Sequence, residues 1–429
     1  MMMKKNVNLV FAALFLVLGV AVITLTVGAS RTFQNVLFAD LQARHSAIDR
    51  VTAEWVGHYI PQQSFTLFIY ENMYPALVLG ILFIAAGVYF MKQFNKYSEK
   101  SARITKTMFS DYRPIAILVL VTAIFSCLHI RFFTVNNFTN ILKQISHYAI
   151  LAAGVYFAIL LGGIDISVGS VAGFSGAVAA LIIARMDTPA SALVAVCACL
   201  MIGSLSGLMN GYFIARYRLQ PMIVTLATMS IFRGATMVIT NGAAISLNRK
   251  LAGYELFAAL GQKSLFGAVL PLPIIIMAIV YAVVYCILNV TPFGRHMYAI
   301  GGNEEASLLS GINVEKIKIL AHMTSGLMAA TAGIIITARV ASATPTAGEG
   351  YEMDAIAAVV IGGTSLRGGE GKVLYTLIGA LIIGMLNNIL NLTNVSAYYQ
   401  TIVKGAVILT AVLLDVRSRK NGGAYRHKA

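Results

Sequence analysis

The chain has 429 residues, of which 58% are apolar and only 11% charged. That is under half the charged share of about 25% usual in a soluble globular protein, which argues against a soluble enzyme. Its formal charge of +15, from 32 basic and 17 acidic side chains, would raise the question of nucleic acid in a soluble chain. Here Lys and Arg cluster in short connectors, as expected of cytoplasmic loops in a membrane protein, so no nucleic-acid partner is expected.

A helix rises about 1.5 Å per residue, so roughly 20 apolar residues cross a hydrocarbon core about 30 Å thick. Runs free of Asp, Glu, Lys and Arg extend from Asn6 to Ser30, Asn72 to Met91, Gln144 to Ile164, Thr188 to Ala215, Ser264 to Gly294, Ile319 to Ala338 and Val373 to Val403. Shorter or once-interrupted candidates are Pro114 to Ile130, Ile166 to Ala184, Pro221 to Thr240, Ala355 to Leu366 and Ala397 to Leu414. The chain therefore reads as an all-α, polytopic membrane protein with lipid as its surroundings.

Lys4 and Lys5 precede an apolar run too long for a signal-peptide core, which predicts an uncleaved helix over Val7 to Val27. The segment from Gly28 to Glu71 holds three Arg against four acids, whereas the connector after the second helix carries Lys92, Lys96, Lys100, Arg103, Lys106 and Arg113. This asymmetry places the first segment outside and the second inside. Alternation then puts Arg216 and Arg218, the stretch from Thr291 to Lys318, and the tail with Arg417, Arg419 and Lys420 inside. Both termini are predicted to be cytoplasmic. The expected organisation is an N-terminal extension over residues 1 to 110 with two helices and an external segment, a core of about ten helices over 111 to 416, and a tail over 417 to 429.

No element of the chain carries reaction chemistry. The nearest approach to a P-loop, Leu366 to Val373, has Leu366 where the first glycine belongs and Val373 where a hydroxyl belongs, so any ATP is handled by another chain. The seven histidines are scattered and Cys127, Cys197, Cys199 and Cys286 lie in apolar runs, so no metal site, disulfide framework or cofactor is expected. An ion-coupled carrier needs ionisable groups in the membrane. Asp165 and Asp354 stand at predicted helix ends, where capping and ion relay are both open readings, and for Arg233 and Lys404 the open readings are snorkelling and pairing with a carbonyl or carboxylate inside the bundle.

Two features interrupt the apolar pattern. Gly162-Gly163-Ile164-Asp165-Ile166-Ser167-Val168-Gly169-Ser170 concentrates helix-weakening residues, and non-helical backbone at such depth persists only where protein or a wet cavity surrounds it. Gly362, Gly363 and Gly369 repeat the spacing of Gly162, Gly163 and Gly169, a hint of internal duplication and nothing firmer. Small residues from Ser167 to Ala180 and from Ser204 to Gly211 suit close helix packing, with substrate contact as the other reading. In the connector Gly301 to Lys318, Asn303 can cap a short surface helix begun by Glu304 and Glu305, and Gly311 can end it. Such a helix is either an idle connector or a docking element.

Three blocks in this order, Gly162 to Ser170, Gly301 to Lys318 and Ala343 to Ser365, carry a resemblance. From about Asp111 to Val416 the chain resembles the permease subunits of bacterial ABC importers for monosaccharides, of the ribose, galactose, xylose and arabinose type, with the ribose type nearest. The resemblance implies a ten-helix permease in the inner membrane, working as a pair, a homodimer being the simplest. It also implies two ATPase domains, often fused in one chain, and an extracytoplasmic sugar-binding protein. Transport would follow alternating access, with nucleosides or another small solute as the alternative cargo and an ion-coupled carrier as the alternative class. Glu305-Ala306-Ser307 followed by Gly311 looks like the family's E-A-A-x-x-x-G coupling motif, so Gly302, Asn303, Glu304, Glu305, Ala306, Ser310 and Gly311 are the expected ATPase contacts. Ser307 replaces an alanine, and the I-x-L-P end of the motif is missing around Ala321. Gly162, Gly163, Asp165, Ser167, Gly169, Asp354, Gly362 and Gly363 are expected to line the pathway or to form structural breaks.

Overall fold

The computed structural model describes residues 102–129, 131–265, 270–396, 398–407 and 409–410. The two expected N-terminal helices, the segment from Gly28 to Glu71 and the basic tail lie outside the described residues. Among the described residues the fold is helical, apart from four strands of two residues each.

The helices in chain order begin with α1 (Ala102–Leu128), α2 (Val135–Leu160), α3 (Val168–Met186), α4 (Ser191–Arg216) and α5 (Pro221–Thr240). A compact stretch follows, with β1 (Ile245–Ser246), α6 (Tyr254–Gln262), β2 (Ser264–Leu265) and β3 (Leu270–Pro271) leading into α7 (Leu272–Val290). Then come α8 (Pro292–Gly302), α9 (Glu304–Leu309), α10 (Val314–Val340), β4 (Ser342–Ala343), α11 (Tyr351–Ile361) and α12 (Val373–Leu392). Further helix covers 398–407.

Among the described residues six helices are long and apolar enough to cross a bilayer: α3, α4, α5, α7, α10 and α12. This is a multi-pass membrane fold. The expected span at Ala355 to Leu366 is absent as such, because α11 has 11 residues and rises only about 16 Å, half of a hydrocarbon core. In α2 the first turns, with Asn136, Asn137, Asn140 and Lys143, are too polar for lipid, although the helix runs for 26 residues. The long run from Ser264 to Gly294 is divided as well, since a strand pair occupies its first part and Pro292 starts a new helix.

The chain divides into two compact units, one formed by 1–112 with 124–139 and the other by 113–123 with 140–429. In the described part of the first, the Phe125 and Phe132 rings meet edge-on at 5.5 Å and the Asn137 amide donates to the Phe132 carbonyl at 2.8 Å. The second carries the permease-like elements.

Within the second unit large apolar side chains face outward as well as inward. Large apolar residues such as Ile223, Ile231 and Val238 of α5 and Ile279 and Val290 of α7 point outward, where acyl chains replace water. Where α3 packs, the interior is built of small residues, its buried face consisting mostly of Gly, Ala and Ser, whereas α2 buries large side chains such as Tyr156 and Phe157. Lipid supplies no hydrophobic drive between helices, so close backbone approach and hydrogen bonds must hold them. On α4 the stripe Gly203, Gly207 and Gly211 meets Gly326, His322 and Ile319 of α10 so closely that a Cβ on any of the three would overlap that backbone. The tight-packing reading of the small-residue runs therefore holds at these positions.

Both glycine-rich breaks end a helix in the same way. After α2, Gly162 has φ +78° and the Gly163 amide donates to the Ala158 carbonyl at 3.0 Å; after α11, Gly363 has φ +86° and the Thr364 amide donates to Val359 at 3.2 Å. Each is a Schellman-type stop, which needs a left-handed residue that glycine supplies without strain. The hint of duplication goes no further. The left-handed residue is the first glycine of one pair and the second of the other, and Gly169 lies inside α3 whereas Gly369 lies in a loop with φ +72°.

The stretch between α5 and α7 was not anticipated from the sequence. There β1 pairs antiparallel with β4, Ile245 opposite Ala343, and α6 buries Phe257 and Tyr254. The Asp187 carboxylate accepts the Ala252 amide at 2.9 Å and fixes the entry to α6.

Candidate functional site

The connector between α7 and α10 folds as two helices. Thr291 accepts the Gly294 amide and starts α8, with Pro292 at the first helical position, where a missing amide costs nothing. Asn303, in extended conformation, ends α8 and starts α9, its Oδ1 accepting the Ala306 amide at 2.9 Å. Glu304 and Glu305 stand in the first turn, at the positive end of the helix dipole. Ser310 donates to the Ala306 carbonyl at 2.8 Å, and Gly311, at φ +80°, turns the chain toward α10.

The two glutamates have different surroundings. Glu304 is held by Lys318 of α10 at 2.7 Å, whereas Glu305 is exposed. The buried member of α9 is Ser307, whose hydroxyl donates to the Asn303 carbonyl. Leu308 and Leu309 are 57% and 89% exposed. At the start of α10, Asn313, Glu315, Lys316, Ile319 and Leu320 line a shallow depression of about 390 Å³. The two leucines leave an apolar tip on a charged, well-capped helix. No spacing rule in the sequence reports their exposure.

At the first break, buried donors converge on one carboxylate. Asp165 is 1% exposed and accepts the Ser167 amide at 3.0 Å, the Ser167 hydroxyl at 2.6 Å and, on its other oxygen, the Ser325 hydroxyl of α10 at 2.7 Å. Asn210 of α4 donates to Ser167 at 3.0 Å, and Thr228 of α5 donates to Asn210 at 2.6 Å. Thus Asp165 does satisfy backbone at a helix start, and it also ties α4, α5 and α10 to the break. Ser325, Asn210 and Thr228 were missed in the sequence because lone polar residues in apolar helices carry no spacing signal.

The other expected residues lie in separate places. Gly163 adjoins Pro221 at the start of α5, and Gly362 backs onto Tyr375 of α12. Gly169 packs against Gly348 and the Glu352 carboxylate. Asp354, in the first turn of α11, pairs with Lys404 at 3.0 Å and accepts from Asn387 at 3.5 Å. Arg233 donates to the Ala347 carbonyl at 2.8 Å. Of the two readings of these cations, snorkelling and pairing, the structure shows pairing for both.

Residues 137–412 match the family described as branched-chain amino acid transport system, permease component. The chain belongs to this permease family. Its members are transport components of ABC importers, not enzymes. The permease is 50% identical over 305 residues to the ribose import permease protein of Haemophilus influenzae, covering 71% of this chain and 93% of that one. It is 50% identical over 311 residues to the ribose import permease protein of Escherichia coli K12, covering 72% and 95%. The corresponding Bacillus subtilis protein is 46% identical over 303 residues, covering 70% and 91%. No solved structure is a significant match.

The ion pair of this permease gives a stability prediction. Asp354 is 2% exposed, so Asp354→Ala leaves Lys404 with a partly buried, unpaired charge and is expected to destabilise the permease by about 3 kcal/mol. Asp354→Ala combined with Lys404→Met should recover most of that loss. Thermal unfolding in detergent checks it, and a double variant no more stable than the single one would show that the pair is not the cause.

Proposed function

We propose that this chain is the membrane-spanning subunit of an ATP-driven importer for a monosaccharide, with ribose the favoured sugar. The observation that carries the reading is the identity of 46 to 50% to ribose import permeases over more than nine-tenths of their length. The exposed tip of α9, with Leu308, Leu309 and Glu305, would seat in the ATPase subunit, and Gly302, Asn303, Glu304, Ala306, Ser310 and Gly311 would shape and hold that tip. A second copy of the chain and an extracytoplasmic binding protein complete the importer. A multi-pass permease core would span 111–416 behind a two-helix extension, in the inner membrane, with both termini placed in the cytoplasm by their basic residues.

Neutral sugars need hydroxyl and amide contacts without a charge trap. The carboxylates fit this role, since Asp165 is saturated by hydrogen bonds and Asp354 is neutralised by Lys404. They act as structural anchors, Asp165 at the first break and Asp354 between α11, α12 and the helix over 398–407, while the helices rearrange between outward and inward access.

The test is uptake of radiolabelled ribose into membrane vesicles supplied with ATP, with and without an uncoupler. Uptake is expected to require ATP and to persist when ion gradients collapse, while the purified chain alone hydrolyses no ATP. Loss of uptake on uncoupling, with ATP intact, would overturn the reading in favour of an ion-coupled carrier.

A further inference from the structure

Three segments far apart in sequence meet here backbone against backbone. Leu160 ends α2, Gly301 is the penultimate residue of α8, and residues 367–369 belong to the break before α12. The Gly369 amide donates to the Leu160 carbonyl at 2.9 Å. A Cβ on Gly301 would overlap both the Leu160 oxygen and the Gly369 nitrogen. A Cβ on Gly369 would lie 2.6 Å from the Gly302 nitrogen, and one on Gly368 would lie 2.7 Å from the Gly162 nitrogen. A second set of bonds joins the same elements through side chains: the Tyr156 hydroxyl of α2 meets the Tyr298 hydroxyl of α8 at 2.9 Å, and Tyr298 donates to the Gly371 carbonyl at 3.1 Å.

We infer that this junction of Leu160, Gly301, Gly369 and Tyr298 is the linkage that carries displacement of α9 into both helix breaks. Side chains can change rotamer and absorb a small shift, whereas backbone packed on backbone has no such freedom. Only Asn303 separates α8 from α9, so a push on the tip of α9 moves Gly301 with it. Gly301 bears on the stop that ends α2 and on the loop that precedes α12. Beyond that stop lies Asp165, whose hydrogen bonds reach α4, α5 and α10. Tyr298 is a positioning residue, holding α8 in register with the two breaks. The inference rests on the reading of α9 as the ATPase-docking helix.

The experiment uses the full chain assembled with its ATPase subunit and binding protein in liposomes, with ribose as the sugar, and reads the ATP hydrolysed per ribose imported. Tyr298→Phe removes one oxygen and adds nothing. It is expected to leave ATPase co-purification intact and to raise ATP per ribose about threefold to tenfold, the size of effect seen when residues between two sites modulate their coupling. Gly301→Ala should raise it further, while Gly234→Ala, which has open space around the added methyl, should match wild type. A folding defect would instead lower hydrolysis and import together and leave the ratio alone. If Gly301→Ala does not assemble, Tyr298→Phe decides. A wild-type ratio in Tyr298→Phe overturns the inference, and a wild-type chain that binds no ATPase overturns the docking reading beneath it.

Discussion

Replacing Leu309 with glutamate is expected to release the ATPase subunit and to reduce ribose uptake to background, with the permease still inserted and folded. Leu309 is 89% exposed on a six-residue helix, so the change disturbs nothing within the chain. Burying a leucine against a partner contributes about 1.5 to 3 kcal/mol, and a buried carboxylate adds a desolvation cost, so affinity should fall at least about a hundredfold. Glu305→Lys should weaken the complex less, through lost charge contact and an unfavourable dipole interaction. Gly311→Val should act differently, because at φ +80° a β-branched residue strains the turn and tilts the tip. Co-purification of the ATPase with each variant, alongside uptake, is the measurement. Wild-type values throughout would make α9 an idle connector.

Gly207→Leu is expected to prevent the helix bundle from forming. A side chain there meets the His322 carbonyl and the Met323 Cα, so no rotamer escapes the clash and α4 must leave α10. Overpacking of even a few methylenes costs about 1 to 3 kcal/mol where neighbours can yield, and a backbone wall yields least. Loss of the folded peak in detergent size-exclusion chromatography is the expected result. Gly234→Leu, on an open face of α5, should keep a normal peak. Equal behaviour of the two variants would mean that the close approach of α4 and α10 does not hold the bundle.

The long spans were legible because apolar runs of sufficient length have one stable state in lipid. The limits of α5 coincide with the expected Pro221 to Thr240, and α4 and α10 lie within a few residues of their charge-free runs. The caps of α9 were legible too, since Asn303 and Gly311 act locally. What escaped detection depends on tertiary contact. The stretch with α6 and β1 is ordered by pairing with β4 and by Phe257, not by its own propensity. Ser325, Asn210 and Thr228 are unremarkable until three helices bring them to Asp165. Hydropathy also misjudged α11, because an 11-residue helix surrounded by protein need not span lipid.

The small-residue interior has a thermodynamic consequence. When helices of this fold separate within a bilayer, Gly, Ala and Ser exchange contact with each other for contact with lipid, and the outward Ile, Val and Leu stay where they were. Little apolar surface meets water in that step, so the heat-capacity increment that curves the stability of soluble proteins is largely missing. The folded bundle should therefore gain stability almost linearly on cooling, with no cold limit set by a fading hydrophobic drive.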